Sequence, residues 1–240
     1  MSKPIDPALL LKAYAAGIFP MADGRDATDV YWVDPRKRGV LPLDGFRLSR
    51  SLAKTLKSEK FETTVDRAFN DVVKSCAEMA SDRPATWINH QIEASVSRLH
   101  SAGHAHSVET WVDGSLVGGL YGVRLGRAFF GESMFSRAKD ASKVALAHLV
   151  ARLRVGDFAL LDCQFITPHL ASLGAKEIDR TDYMVLLSSA LSTLGSGSDS
   201  SPSPDFFAFD ALDSAPPPRT TKVFGPISGW RIAQALGHTS

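Results

Sequence analysis

Hydrophobic and polar positions along this chain switch between two spacings, and the switch divides it. Pro7 to Gly17 carries Leu9, Leu10, Ala13 and Tyr14 on one helical face, and Gly17 stops the helix. Ile18-Phe19-Pro20 follows as an apolar turn, and Tyr31 to Leu43, with Pro35 and Pro42, as a strand and turn. Ser49 is the N-cap expected for a helix reaching Lys57, in which Leu52 and Leu56 form an apolar i, i+4 pair. Phe61 to Val65 reads as a strand. Asp66 to Met79 is helical with Phe69, Val72, Val73 and Cys76 inward, and Ile92 to Leu99 repeats the pattern up to Gly103.

Beyond His106 the spacing falls to two. Val108 to Val112 alternates, Asp113-Gly114 is a hairpin turn, Leu116 to Leu125 returns, and Gly126 leads into Ala128 to Phe135. The pattern predicts a three-stranded meander. Ala141 to Val155 resumes helical spacing through Val144, Leu146, Leu149, Val150 and Leu153. Phe158 to Phe165 is a buried strand, and Thr167 to Leu173 and Asp182 to Leu191 are short helices. Residues 195–205 and Pro216 to Pro218 read as linkers, because Gly, Ser and Pro bury too little apolar surface to order themselves. Ile227 to Leu236 is a short docking helix. The elements predict an α+β protein divided at about residues 1–80, 81–193 and 194–240, the first part mixed and basic, the last a linker and tail.

Charge sharpens the first part. The whole chain of 240 residues is only +1, yet Arg36 to Lys60 holds eight Lys or Arg against two acids. Arg50, Lys54 and Lys57 fall on one stripe of the expected helix. Such a stripe binds phosphates in a salt-dependent way, or is simply a solvated helix face. Two cysteines are too few for a disulfide framework. The first residues lack the basic start and apolar core of a signal peptide, and no apolar run approaches the ~20 residues of a membrane span. The expected compartment is the cytosol.

Several apparent motifs lead nowhere. His100, His104 and His106 straddle Gly103 and match no metal-ligand spacing, so they read as structural histidines at a helix-to-strand junction. Gly118, Gly119, Gly122 and Gly126 fit neither a phosphate loop nor a dinucleotide fingerprint, and read as bulges or close backbone approaches. Ser133 lacks a nucleophile elbow. More informative is Leu160-Leu161-Asp162-Cys163-Gln164-Phe165, which puts polar residues in an apolar strand. Asp162 and Gln164, two apart, are expected to share one face. A buried carboxylate there is either a structural hydrogen-bonded pair or in use. Glu132, between Phe129-Phe130 and Met134-Phe135, poses the same question.

The stretches AYAAGIFPM (13–21), YWVDPRKRGVLP (31–42), LSRSL (48–52), FFGESMFSRAKDASKVAL (129–146), LLDCQF (160–165) and HLASLGAKEI (169–178) resemble the leucyl/phenylalanyl-tRNA–protein transferase family. The resemblance covers roughly residues 9–183. It implies two domains, a C-terminal acetyltransferase-like (GNAT-like) fold and a smaller basic N-terminal domain. It implies transfer of Leu or Phe, and sometimes Met, from aminoacyl-tRNA to proteins beginning with Arg or Lys, which marks them for N-degron proteolysis. No metal and no organic cofactor is implied, nor a membrane, and the expected state is a monomer. Asp162 and Gln164 match the family's catalytic pair and Glu132 its active-site glutamate. Trp87, Leu120, Phe129, Met134 and Leu149 match positions lining the donor side-chain pocket, with Tyr14 nearby. Without the resemblance, Phe129, Met134 and Leu149 read as plain core. Met21 stands where the family has a pocket tryptophan. Arg50, Lys54 and Lys57 match a tRNA-contacting helix.

The implied reaction is aminolysis of an ester. In it the Gln164 carbonyl orients the acceptor amine, Asp162 fixes Gln164 and adds negative charge, and Glu132 binds a positive group. An apolar pocket with Met and aromatic walls separates side chains one methylene apart by only ~1–3 kcal/mol, so tolerance of Leu, Phe and Met is expected. Two other readings compete. An acyl-CoA-dependent N-acetyltransferase needs a Gly-rich phosphate loop, which Phe135-Ser136-Arg137-Ala138-Lys139 lacks. A non-catalytic tRNA-binding module has no use for Asp162, Gln164 and Glu132 together.

Overall fold

The computed structural model describes residues 3–78, 85–192, 203–211 and 226–237. Most of the expected linker at 195–205, and all of Pro216 to Pro218, lie outside the described residues. In chain order the elements are α1 (Pro7–Ala15), β1 (Phe19–Met21), β2 (Tyr31–Val33), β3 (Lys37–Val40), α2 (Arg50–Lys57), β4 (Glu62–Val65), α3 (Phe69–Ala77) and α4 (His90–Ser101). Then come β5 (Ala105–Val112), β6 (Ser115–Leu125), β7 (Ala128–Ser136), α5 (Ala141–Val155), β8 (Leu160–Gln164), α6 (Pro168–Ser172), β9 (Lys176–Asp179), α7 (Arg180–Leu191), α8 (Ala208–Ala211) and α9 (Gly229–Gly237).

Local chemistry sets most boundaries. Asp6 caps α1 by accepting from Ala8 N and Leu9 N, and Ser49 caps α2 by accepting from Leu52 N at 3.2 Å. Asp113 and Gly114 both take positive φ, 50° and 73°, which matches the hairpin turn to the twist of its strands. The meander extends well beyond three strands. A seven-stranded sheet runs in the order β4-β5-β6-β7-β8-β3-β9. Every pair is antiparallel except β7 with β8. Thus β3 and β4, from the first 80 residues, are strands of the same sheet as the meander. The turn expected at Ile18-Phe19-Pro20 is instead largely strand, since Phe19 to Met21 pairs with Tyr31 to Val33 in a separate hairpin.

Strand alternation sends neighbours to opposite faces, which gives two cores. Leu120, Phe129 and Leu161 join α5, α2, α8 and α9 in one. Tyr121, Phe130 and Leu160 join α1, α3, α4 and α7 in the other. The glycine run is explained by close approach. A Cβ at Gly122 would lie 2.3 Å from the Phe130 carbonyl oxygen, and one at Gly118 would lie 2.6 Å from Ala141 Cβ. The tail is partly built into the first core. Phe206 and Phe209 are fully buried, and Arg152 of α5 donates through Nη1 and Nη2 to both Asp210 oxygens at 2.7 and 2.5 Å. Among the described residues no helix is long and apolar enough to cross a membrane.

Candidate active site

The parallel ladder between β7 and β8 runs only from Ala128 opposite Leu160 to Phe130 opposite Asp162. Just past it both strands become irregular. On β7, Gly131 pairs with Gly122 and Ser133 with Tyr121, so Glu132 is the extra residue of a bulge. On β8, Gly39 pairs with Gln164 and Val40 with Asp162 across a register slip, and Gln164 adopts φ 61°. Bulges and left-handed residues re-aim side chains, and left-handed backbone in a glutamine costs of order 1–3 kcal/mol that the surroundings must offset.

The result is one hydrogen-bonded centre. Tyr14 Oη donates to Glu132 Oε1 at 2.9 Å, and Gln164 Nε2 donates to the same oxygen at 2.8 Å. Glu132 Oε2 is buried and has no hydrogen-bond partner among the described residues. Burial, above all, lifts the Glu132 carboxyl to about 7; the two donated hydrogen bonds pull the other way. Tyr14 is held well above the ordinary phenol range by burial and by the adjacent carboxylate, so it stays a donor. Because Glu132 demands a donor, the Gln164 amide turns its nitrogen inward and leaves its carbonyl oxygen free.

Glu132 and Gln164 open on a cavity of about 280 Å³. Its walls include Trp87, Leu120, Met134, Leu146, Leu149 and Leu161, with Phe165, Cys163, Thr167, His169 and Leu170 also contributing. Trp87, Leu120, Met134 and Leu149, expected to line one pocket, are thus brought together around this cavity. Phe129 does not line the cavity: it is fully buried and stacks on Phe206 with ring centroids 5.5 Å apart. Met21 pairs with Tyr31 and packs against the other core, also away from the lining. Sequence reasoning missed Leu146, Leu161, Cys163 and His169. The Nε2 of His169 is buried and has no hydrogen-bond partner among the described residues, and burial lowers that imidazole below its usual range. Its place at the head of the motif HLASLGA was its one signal.

Asp162 corrects the expectation of a shared face. Leu161, Cys163 and Gln164 all reach the cavity, and Asp162 does not. Alternation fails because the slip at β3 and the left-handed Gln164 rotate the last residue to the other side. Asp162 points instead to Arg38, whose Nε and Nη2 lie 2.9 and 2.6 Å from its oxygens. Tyr183 Oη donates to it at 2.7 Å, and so does the Gln164 backbone N–H. Arg38 is sandwiched between the Phe19 and Tyr183 rings and also donates to the Gly17 carbonyl. Asp162 does hold Gln164, through the backbone. Its negative charge is matched by Arg38 within the protein.

Arg38 also leaves the basic surface, since it is 1% exposed. Arg50, Lys54 and Lys57 remain exposed on α2, opposite buried Leu52 and Leu56, as the stripe predicts. Among the histidines, His100 Nδ1 lies 2.8 Å from the Ala105 carbonyl and His106 Nδ1 2.7 Å from Asp66 Oδ2. Both are engaged in structural contacts.

The structure thus places a carboxylate and an amide at the edge of an apolar cavity. The leucyl/phenylalanyl-tRNA protein transferase family model matches residues 40–188, and the model of that family's N-terminal domain matches residues 4–36. The protein named leucyl/phenylalanyl-tRNA–protein transferase in Rhizorhabdus wittichii is 61% identical over 249 residues, covering 99% of this chain and 100% of the relative. Proteins of the same name in Zymomonas mobilis and Paramagnetospirillum magneticum are 63% and 57% identical over 193 and 189 residues. They are covered over 72% and 90% of their lengths, by 80% and 79% of this chain. The chain belongs to the leucyl/phenylalanyl-tRNA–protein transferase family.

Proposed function

We propose that this chain transfers a leucyl or phenylalanyl group from aminoacyl-tRNA to the α-amine of an acceptor protein. The observation that carries the mechanism is that Glu132, one of whose buried oxygens has no hydrogen-bond partner among the described residues, and Gln164 both border an apolar cavity. The donor side chain occupies the cavity, walled by Leu120, Met134, Leu146, Leu149 and Leu161. Its ester carbonyl then lies near the polar floor. Neutral α-amine is plentiful at neutral pH because its pKa is ~7.7–8. Gln164 Oε1 accepts a hydrogen bond from that amine, which aims the nitrogen lone pair at the ester carbon.

The new C–N bond forms as the C–O bond to the ribose breaks. The amine gives up its proton to Glu132 Oε2, whose pKa near 7 suits a proton acceptor at neutral pH. The departing ribose oxygen takes a proton from its neighbouring hydroxyl, which is reprotonated by the Glu132 carboxyl, so the ribose leaves as a neutral diol and the carboxylate is restored. Positioning two bound molecules supplies much of the acceleration, several kcal/mol or more. Asp162 and Arg38 are positioning residues, because Asp162 holds the backbone N–H of Gln164, Arg38 holds Asp162, and neither lines the cavity.

In this reading residues 1–80 supply the tRNA-facing stripe of Arg50, Lys54 and Lys57 as well as Tyr14, and residues 81–193 supply the cavity. The parallel β7–β8 pair, connected through α5 and parting at the site, supports an acetyltransferase-like arrangement of that second part. The acceptor begins with Arg or Lys, the product enters N-degron proteolysis, and the enzyme works as a cytoplasmic monomer. These last points rest on the resemblance.

The test uses radiolabelled leucyl-tRNA and a peptide beginning with Arg. Label must enter the peptide, ribonuclease must abolish it, and Gln164→Ala must slow it by about 100-fold or more, the scale of losing a positioned transition-state contact. No transfer by the wild-type chain, or transfer that survives ribonuclease, overturns the reading.

A further inference from the structure

Residues 226–237 lie beyond both family matches, yet they are built into the basic face of the molecule. Ile227, Ile232, Ala233 and Leu236 of this segment are buried in the core that also holds Leu52 and Leu56 of α2. The two helices meet very closely. A Cβ at Gly229 would lie 2.1 Å from the Leu56 carbonyl oxygen, so only glycine permits the contact. The Glu59 carboxylate, just past the end of α2, accepts from Gly229 N at 3.1 Å and Trp230 N at 3.2 Å. The start of α9 is therefore pinned to the end of α2, and the charge of Glu59 is taken up by backbone N–H groups.

This seat presents Trp230 outward. The indole stays 58% exposed, more than any other aromatic side chain among the exposed large hydrophobics described. Lys57 Nζ sits 4.8 Å from its ring centroid. A depression of about 530 Å³ beside it is lined by Lys57, Ser228, Trp230, Arg231, Ala233 and Gln234, and no carboxylate is among them. An aromatic plane flanked by cations, in line with Arg50 and Lys54, is the combination that binds unpaired nucleotides: bases stack on the ring and phosphates meet the charges.

We infer that α9 extends the basic stripe of α2 into a binding surface for tRNA, with Trp230 stacking on an unpaired base and Lys57 on the adjoining phosphate. This rests on the proposed use of aminoacyl-tRNA. The positive charge excludes a basic protein as occupant, and the stacking plane has no role toward an acidic one.

Binding of an uncharged leucine tRNA transcript is measured by filter retention across a range of salt concentrations. Trp230→Ala is expected to raise Kd about 10-fold, equivalent to about 1.4 kcal/mol, without changing the salt slope. Trp230→Phe, which keeps a ring, stays within about 3-fold of wild type. Lys57→Gln flattens the slope by about 0.7–0.9. Circular dichroism melts of each variant establish that the measurement is made on folded chain. If Trp230→Ala binds like wild type, or if Trp230→Phe loses as much as Trp230→Ala, the inference falls. Should the wild-type chain itself not bind the transcript, both this inference and the donor half of the proposed function fail. Retained binding by Trp230→Ala sinks this inference alone.

Discussion

Strand β8 feeds two buried polar clusters, and they differ in one respect. Around Asp162 every acceptor is met: Arg38, Tyr183 and the Gln164 backbone all donate to it. Around Glu132 one oxygen receives both Tyr14 and Gln164, and the other receives nothing from the described residues. A saturated cluster has no capacity left for a ligand, so it holds structure. A cluster with a spare buried acceptor costs stability until something arrives to use it. In the proposed mechanism the difference separates the residue that positions from the residues that act, although all are buried and polar.

The largest effect should come from breaking the saturated side. Arg38→Met leaves the Asp162 charge buried without its partner and should cost about 3–5 kcal/mol of folding stability. Urea unfolding measures it. The neighbouring residue gives the internal control: Lys37 pairs with Asp179 at 2.8 Å, but both are more than half exposed. Lys37→Ala should leave the urea midpoint where it was, since solvent already screens that pair. Equal effects at positions 37 and 38 would erase the distinction drawn between saturated and surface charge.

The open side should show itself through pH. The Glu132 carboxyl is near 7 in the folded chain against an ordinary 4.5, so the folded state binds its proton more tightly than the unfolded one. Its contribution is therefore fully present below about 4.5 and lost as pH rises through about 7. At ~1.4 kcal/mol for each tenfold change, the loss is about 3 kcal/mol. Glu132→Gln removes that titration, so the variant should gain on wild type between pH 5 and pH 8 in paired urea titrations. Transfer behaves oppositely: the rate needs the ionised carboxylate and rises through about pH 7, whereas the Gln variant follows only the acceptor amine. A stability difference independent of pH would mean that Glu132 titrates like a surface carboxylate.

The contrast between the clusters also separates what is legible in the amino-acid sequence from what is not. The helices at Ser49 and Ala141 and the Asp113-Gly114 hairpin rest on local rules, caps and spacing, and they stand within a residue or two of expectation. The joining of β3 and β9 to the sheet depends on contacts more than a hundred residues apart, which no local pattern carries. At the site, composition drew attention to Asp162, Gln164 and Glu132, but a period-two rule could not separate them. Their separation depends on the bulge at Glu132 and the left-handed Gln164, and nothing in a glutamine announces positive φ. Arg38 was hidden for the opposite reason, sitting in a basic run that reads as solvent-facing.

The apolar half of the open side allows a finer cut between lining and support. Met134 borders the cavity and is partly buried, whereas Phe129, also expected in the pocket, lies behind it against Phe206. Met134→Ala enlarges the space without opening a closed core, so it should favour the bulkier donor. The ratio of kcat/KM for phenylalanyl- over leucyl-tRNA should rise about 5- to 10-fold, about 1–1.4 kcal/mol, the range a hydrophobic pocket can supply. Phe129→Leu should instead lower the urea midpoint and leave that ratio within twofold, because its contacts are with the buried tail. If the two variants move the ratio equally, the cavity as described is not the donor pocket, and the wall must be redrawn to include the layer behind it.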